Sequence, residues 1–386
     1  MSQPDIKACS PAIPPSGTPP AGDTAVMSKK LWDIQQSKPV VLSYYFMGGT
    51  QNQQAAVTNT ITPDTIVTKT LDTWTQYANV VFDKTSDISS SDIRINFVSG
   101  NGSWSAIGVD ARSFCIKDPD TGKTTSYNAT MNLGWLADAN PPSAEDASTI
   151  LHEFGHALGM MHEHQSPARG ERIHLKTLEV YRYYRPLLNY DDKLVKSQVI
   201  DTYDLAVVSN YSQLDLKSIM MYFMPASLNE EGIDIPVNLT LSKLDKAFIT
   251  LNYPGNANCK ISIYKALDDA GVTGPAVTDI VKATNNGDYP TARQKFIDYN
   301  QSVMKLNDVN KSFLGSVGGV SQENGILSKL PTFLDNPLLK AILKNIANQV
   351  MVQRAITADI GVPGTAQRDV LDSIGALITS PELAAA

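Results

Sequence analysis

Four of the five histidines in this 386-residue chain fall within HEFGHALGMMHEHQSP, His152 to Pro167. That stretch constrains the fold more than any other, because its spacing demands a helix that stops at a set place. On a helix, His152 and His156 project from one face about one turn apart, ~6 Å. Two ring nitrogens so placed can reach a single ion at ~2.0–2.1 Å. Glu153 lies on the edge of the same face, too close to be a natural third ligand but placed to take a proton from an activated water. His162 would point away if the helix ran on. Gly159 supplies the break, since glycine takes a left-handed C′ conformation without a Cβ penalty. The chain can then return His162 to complete a three-nitrogen site with an open fourth position. Such a site marks a catalytic rather than a structural zinc, so one Zn2+ is the expected cofactor.

HExxH alone arises by accident, and a cluster of buried structural histidines is the plain alternative. The longer His-Glu-x-x-His-x-x-Gly-x-x-His is far harder to obtain by chance. His164 follows the ligand set and reads as an outer or surface residue; His174 reads as an ordinary one.

The rest of the chain narrows the classes. Net charge is −7, with no run of Lys or Arg that could track phosphates, which speaks against nucleic acid. The longest apolar stretch, near Val40–Met47, falls far short of the ~20 residues of a membrane-spanning helix. Residues 1–29 are rich in Pro and Gly and lack the apolar core of a signal peptide. Three cysteines, Cys9, Cys115 and Cys259, are too few for a disulfide framework. A Cys115–Cys259 bridge is open, with free or buried thiols preferred. Six Asn-x-Ser/Thr sequons carry little weight in a chain so rich in Asn.

Pattern predicts a strand over 39–49 and a helix opened by Pro63, with Val67, Leu71, Trp74 and Ala78 on one face. Further strands are expected at 92–100 and 128–136, then the histidine helix with Ser143 as N-cap and Asp146 in its first turn. YRYYRPLL (181–188) should break at Pro186, and a last helix should end at Pro254 and Gly255. The order is that of an α+β domain over 30–255. Residues 256–386 read as short helices broken by Gly and Pro, a separate helical domain without a recognisable motif.

The histidine stretch resembles the metzincin zinc peptidases, and HEHQSP looks most like their astacin-like branch. The resemblance implies a zincin fold: a twisted mixed sheet, an active-site helix and a Met-turn. SIMMY (218–222) matches the Met-turn, with Met220 as the methionine packed under the metal and Tyr222 as an additional zinc ligand and transition-state stabiliser. LSKLDKAFITLNYP resembles the closing helix. Glu163 matches the glutamate that receives a mature N-terminal ammonium, though an acid there could equally cap or salt-bridge locally. The chain departs from the family at Ser166, Ala168 and Gly170, where charges are usual, keeps Arg169, and cannot build the usual pair of disulfides.

The resemblance implies a zinc metalloendopeptidase, with protein or peptide substrates bound extended along the cleft. TSYNATMNL (125–133) is the expected edge strand of that cleft, with an inner strand as the alternative. An inactive zinc- or peptide-binding module and a zinc amidase are the rival readings. The N-terminal segment 1–29 is a latency candidate through PAGDT, whose Asp23 resembles the family's aspartate switch, or through Cys9, since a thiolate is a good zinc ligand. The family resemblance favours secretion.

Overall fold

The computed structural model describes residues 9, 30–34, 38–47, 63–137, 143–188, 190–203, 214–255, 261–272 and 274–300. Asp23 and Cys259 lie outside them, as does all of segment 1–29 except Cys9. Seven strands are described: β1 (Val40–Phe46), β2 (Val80–Lys84), β3 (Ile93–Asn96), β4 (Ser103–Ser105), β5 (Cys115–Lys117), β6 (Thr124–Tyr127) and β7 (Met131–Leu133). Five make one sheet in the order β2-β1-β3-β7-β4, while β5 and β6 form a separate hairpin. β1 pairs in parallel with β2 and β3, β3 pairs in parallel with β7, and β4 runs antiparallel to β7. Parallel neighbours need a crossover, and α1 (Pro63–Thr75) supplies it between β1 and β2.

Val67, Leu71 and Trp74 form the buried stripe of α1; Ala78 lies past its end yet is also buried. The Trp74 indole donates to the Leu151 carbonyl, 3.2 Å away, and so ties α1 to α2 (Ala144–Ala157), the histidine helix. Both helices pack on the sheet, and one core joins them to Leu31, Trp32, Met220 and Tyr253.

TSYNATMNL is not the sheet's edge. It divides into β6 and β7, and β7 is an inner strand between β3 and β4. Met131, Asn132 and Leu133 are all buried, as an inner strand requires. The edge on this side of the sheet is β4, three residues long with serine at both ends, too short and polar to read as a strand from pattern.

Beyond α2 come α3 (Thr177–Leu188) and α4 (Asp192–Val195), which opens into one wider turn at Lys196–Ile200. α3 runs through Pro186 rather than breaking there. The proline sits in its final turn, so the helix gives up one backbone donor and ends two residues later. α5 (Lys243–Asn252) is the expected closing helix.

The expected boundary at 255/256 is not where the chain divides. One compact unit extends to Ile297 and a second covers Asp298–Ala386, of which only residues 298–300 are described. α6 (Ile263–Asp269) packs on α5, and α7 (Pro275–Asn285) on α6. Together with residues 289–297, also helical, they bury Leu267, Val272, Ile280, Val281, Phe296 and Ile297. A shift in composition at Gly255 marks the end of the histidine-bearing region and not the end of the core.

Candidate metal centre

α2 begins on a capping box. The Asp146 amide donates to the Ser143 hydroxyl at 3.2 Å, and the Ser143 amide to the Asp146 carboxylate at 2.7 Å. Its other end is a Schellman motif around Gly159, whose φ is 92°. The Met160 amide donates to the Gly155 carbonyl at 2.9 Å and the Gly159 amide to the His156 carbonyl at 2.8 Å. Two further terminal carbonyls are met by side chains: the Trp32 indole donates to Ala157 at 2.8 Å and the Tyr253 hydroxyl to Leu158 at 2.9 Å. The stop that the histidine spacing demands is therefore built from both neighbouring segments.

The stop brings His162 back. Its Nε2 lies 3.0 Å from Nε2 of His156. One ligand atom each from His152, His156, His162 and Cys9 all lie within 4.8 Å of one another. Nitrogens ~2.1 Å from a tetrahedral ion would stand about 3.4 Å apart, so the set fits a zinc-sized ion. The tautomers are fixed from behind. Nδ1 of His152 lies 2.7 Å from the Ile219 carbonyl and Nδ1 of His156 lies 2.8 Å from the Met160 carbonyl. Each must donate there, which leaves Nε2 a bare lone pair facing the centre. His152 Nε2 is buried and, among the described residues, has no hydrogen-bond partner. A cation would satisfy both that orphan and the His156–His162 contact.

Burial sets the charge states. It pushes His152 down to about 4 and His156 to about 3, with His162 also well below the usual range. All three are neutral at pH 7, the state a ligand needs. Burial raises Glu153, opposed by a hydrogen bond from Cys9. Its Oε2 lies 3.5 Å from the Cys9 Sγ, and its Oε1 is buried with no partner among the described residues. The Cys9 thiol is raised by burial first and by Glu153 second, with a backbone hydrogen bond from Ser105 working the other way.

Tyr222 closes one side. Its ring lies 4.6 Å from the His162 ring, and its hydroxyl donates to the Cys9 carbonyl at 2.5 Å. His164 is buried, lies tilted against the Tyr222 ring with centroids 4.0 Å apart and has Nε2 2.8 Å from the Gln198 carbonyl. It backs the site and is absent from the ligand cluster. His174 is exposed and paired with Glu231 at 2.6 Å.

Met220 is buried against the histidine helix. A Cβ added to Gly155 would fall 2.5 Å from the Met220 sulfur, so this glycine inside α2 admits the methionine. The turn carrying Met220 is held by α5: the Asp245 carboxylate accepts from the Ser218 hydroxyl at 2.7 Å and the Ile219 amide at 2.8 Å. Glu163 donates its amide to the Met220 carbonyl at 3.0 Å and accepts the Asp215 amide at 2.8 Å. Burial and the neighbouring Asp215 hold its carboxyl well above the usual range. Among the described residues no cation pairs with it, and its contacts are those of a local acceptor.

Sequence pattern singles out neither Gly155, Asp245 nor Tyr190. Gly155 falls at an unspecified position of the motif, and Asp245 reads only as an N-terminal helix acid. Tyr190 donates to the Cys9 carbonyl at 3.4 Å and has no motif around it.

Comparison with known proteins finds two family models and several relatives similar to this chain. A family model described as Matrixin matches residues 35–170, and one described as Astacin (Peptidase family M12A) matches residues 142–254. The zinc metalloproteinase nas-34 of Caenorhabditis elegans is 27% identical over 150 residues, 38% of this chain and 21% of that protein. The chain thus spans about a fifth of that curated relative's length, 21%. A structure of myroilysin is 32% identical, covering 59% of this chain and 97% of that chain, with a TM-score of 0.47. High choriolytic enzyme 1, a hatching enzyme zinc-protease from the medaka fish Oryzias latipes, is 15% identical over 59% of this chain and 96% of its own, with a TM-score of 0.39.

Proposed function

Because the chain belongs to the astacin-like metzincins, we propose that it is a zinc-dependent endopeptidase acting on extended peptides. The observation that carries this reading is the buried convergence of three neutral imidazoles beside Glu153, with one imidazole nitrogen left without a partner among the described residues. His152, His156 and His162 would hold the ion, and zinc held there would supply Lewis acidity toward a water and a carbonyl.

The remaining work belongs to the chain. Glu153 takes the proton of the attacking water and returns it to the leaving amine. Burial supports the first half of that task by raising the carboxyl's affinity for the proton. Tyr222 donates to the carbonyl oxygen as negative charge develops on it. Met220 and Gly155 give the ligand helix a fitted floor, and Glu163 braces the Met220 turn.

Substrate lies along β4. The Ala106 amide just past this strand donates inward to the Thr130 carbonyl at 2.7 Å, so the preceding Ser105 amide faces the open edge. That amide supplies the hydrogen bond at Cys9. An extended peptide pairs with this edge by adding a strand.

Cys9 stands where substrate would, and the present form is latent. Its thiol is the fourth member of the ligand cluster, and its carbonyl is held by Tyr222. The full chain carrying Cys9→Ala should therefore hydrolyse fluorescent casein faster than the unaltered chain, with a chelator abolishing both rates. Bound zinc without hydrolysis by either chain would leave a zinc-dependent binding module. Turnover confined to non-peptide amides would make it an amidase.

A further inference from the structure

Cys9 touches the centre through two groups, and the second is informative about turnover. Its thiol occupies the space beside the three imidazoles and Glu153, where the attacking water belongs. Its carbonyl oxygen accepts from two phenols, Tyr222 at 2.5 Å and Tyr190 at 3.4 Å. One residue thus spans both halves of the reaction, nucleophile and acceptor. The carbonyl's surroundings report which groups a bound peptide carbonyl would meet.

We propose that Tyr190 is a second catalytic hydroxyl, acting with Tyr222 on the scissile carbonyl oxygen, and that the Cys9 carbonyl occupies that oxygen's place. The proposal rests on the peptidase reading above. Tyr190 is carried on a fixed turn. Its amide donates to the Arg185 carbonyl at 3.2 Å at the end of α3, and the next residue, Asp191, caps α4 by accepting the Leu194 amide at 2.8 Å. The phenol is half-buried, and its hydroxyl lies close enough to Tyr222 to raise that residue's pKa, a smaller cause than burial and Cys9. Two neutral phenols suit the task because they donate without placing a full charge beside the ion. At 3.4 Å the Tyr190 contact is long for a neutral carbonyl and would tighten as the oxygen gains charge and moves. Its contribution therefore belongs mainly to the transition state.

The test compares Tyr190→Phe with Tyr190 in the zinc-loaded full chain carrying Cys9→Ala; Cys9→Ser replaces it if that chain folds poorly. Two readouts are taken: kcat and KM on a quenched fluorescent peptide, and the Kd for a phosphinic pseudopeptide by calorimetry. The phosphinate is tetrahedral and anionic, so its binding reports the phenols even if no turnover occurs. Removing one such donor typically costs ~10²–10³ in rate, and the longer contact here sets the expectation at about tenfold or more. We expect that loss in kcat, little change in KM, a similar weakening of phosphinate binding and unchanged zinc content. Should the Cys9→Ala chain bind zinc but cleave nothing, the peptidase reading fails, and phosphinate affinity alone decides whether Tyr190 faces the oxyanion position. A Tyr190→Phe chain that keeps its phosphinate affinity within twofold overturns the proposal. Faster alkylation of Cys9 in a separate chain that carries Tyr190→Phe and retains Cys9 would then identify Tyr190 as a latch for residue 9 only.

Discussion

At the scale of single residues, the proposed function assigns some groups to hold an ion and others to move a proton, and substitution should separate them. Glu153 touches Cys9 but lies outside the imidazole set. Glu153→Ala should keep zinc at one equivalent by metal analysis while losing ~10²–10⁴ in kcat, the usual worth of a general base. Loss of the metal instead would mean that the carboxylate is a ligand. Acids behind the site should respond to pH. Asp215 is raised to about 6, by burial first and Asp245 second, against an ordinary value of 3.8. It accepts from the Ser242 hydroxyl at 2.5 Å and the Lys217 amide at 3.0 Å, and Glu163 is joined to its amide. A raised acid binds its proton more tightly when folded, so the stability it brings is full below 3.8 and lost as pH rises through about 6. Asp215→Asn removes the charge; its one carboxamide oxygen can still accept the Lys217 amide, while its NH2 group faces the Ser242 hydroxyl as a donor. In metal-stripped protein its urea stability should match the parent near pH 4 and exceed it above pH 6. The gain should be ~1–2 kcal/mol, below the ~3 kcal/mol ceiling, because Asp245 and Glu163 share the titration. Parallel stability curves across that range would show that Asp215 carries no such burden.

At the scale of elements, the proposed metal ligands are held by a relay between helices that share no motif. Asp245 closes the capping box of α5 and binds the Ile219 amide; the Ile219 carbonyl in turn receives Nδ1 of His152. Asp245→Ala removes a cap worth ~1 kcal/mol and strands the buried Ser218 hydroxyl and Ile219 amide, for a total of ~2–4 kcal/mol. Second-sphere losses of this kind weaken metal binding by ~10–100-fold, readable by competition with a chromophoric chelator. Asp191→Ala, which removes the cap of α4, should cost ~1 kcal/mol without touching zinc affinity. Equal zinc affinity in both variants would break the relay. This relay also explains what was legible in the sequence. The ligand helix, its cap and its glycine stop follow from local spacing, and they could be read from Ser143 to His162. The Met-turn was recognisable only by resemblance. β4 and Tyr190 could not be read, because a three-residue polar strand and an isolated tyrosine acquire meaning only from what lies across the fold from them.

At the scale of the whole chain, the division after Ile297 changes what a minimal protein must contain. Every residue given a chemical role lies before Gly255, which suggests that a chain ending there would suffice. Packing argues otherwise. α6 rests on α5, α7 follows, and Leu267, Val272, Ile280 and Val281 are buried there. The Tyr253 hydroxyl joins the end of α5 to the end of the histidine helix through Leu158, so loosening α5 reaches the ligands directly. Each fully buried Leu, Ile or Val contributes ~1.5–3 kcal/mol, and a cut at Gly255 forfeits several of them while baring the α5 surface beneath. We therefore expect a chain ending at residue 255 to aggregate or to melt well below the full chain, with weakened zinc binding. A chain ending at residue 300 should keep the zinc affinity of the full protein and a melting temperature within a few degrees of it. Differential scanning fluorimetry on both, with and without zinc, decides the matter. A shorter chain as stable and as tightly metallated as the longer one would return the boundary to Gly255 and reduce α6 and α7 to an appendage.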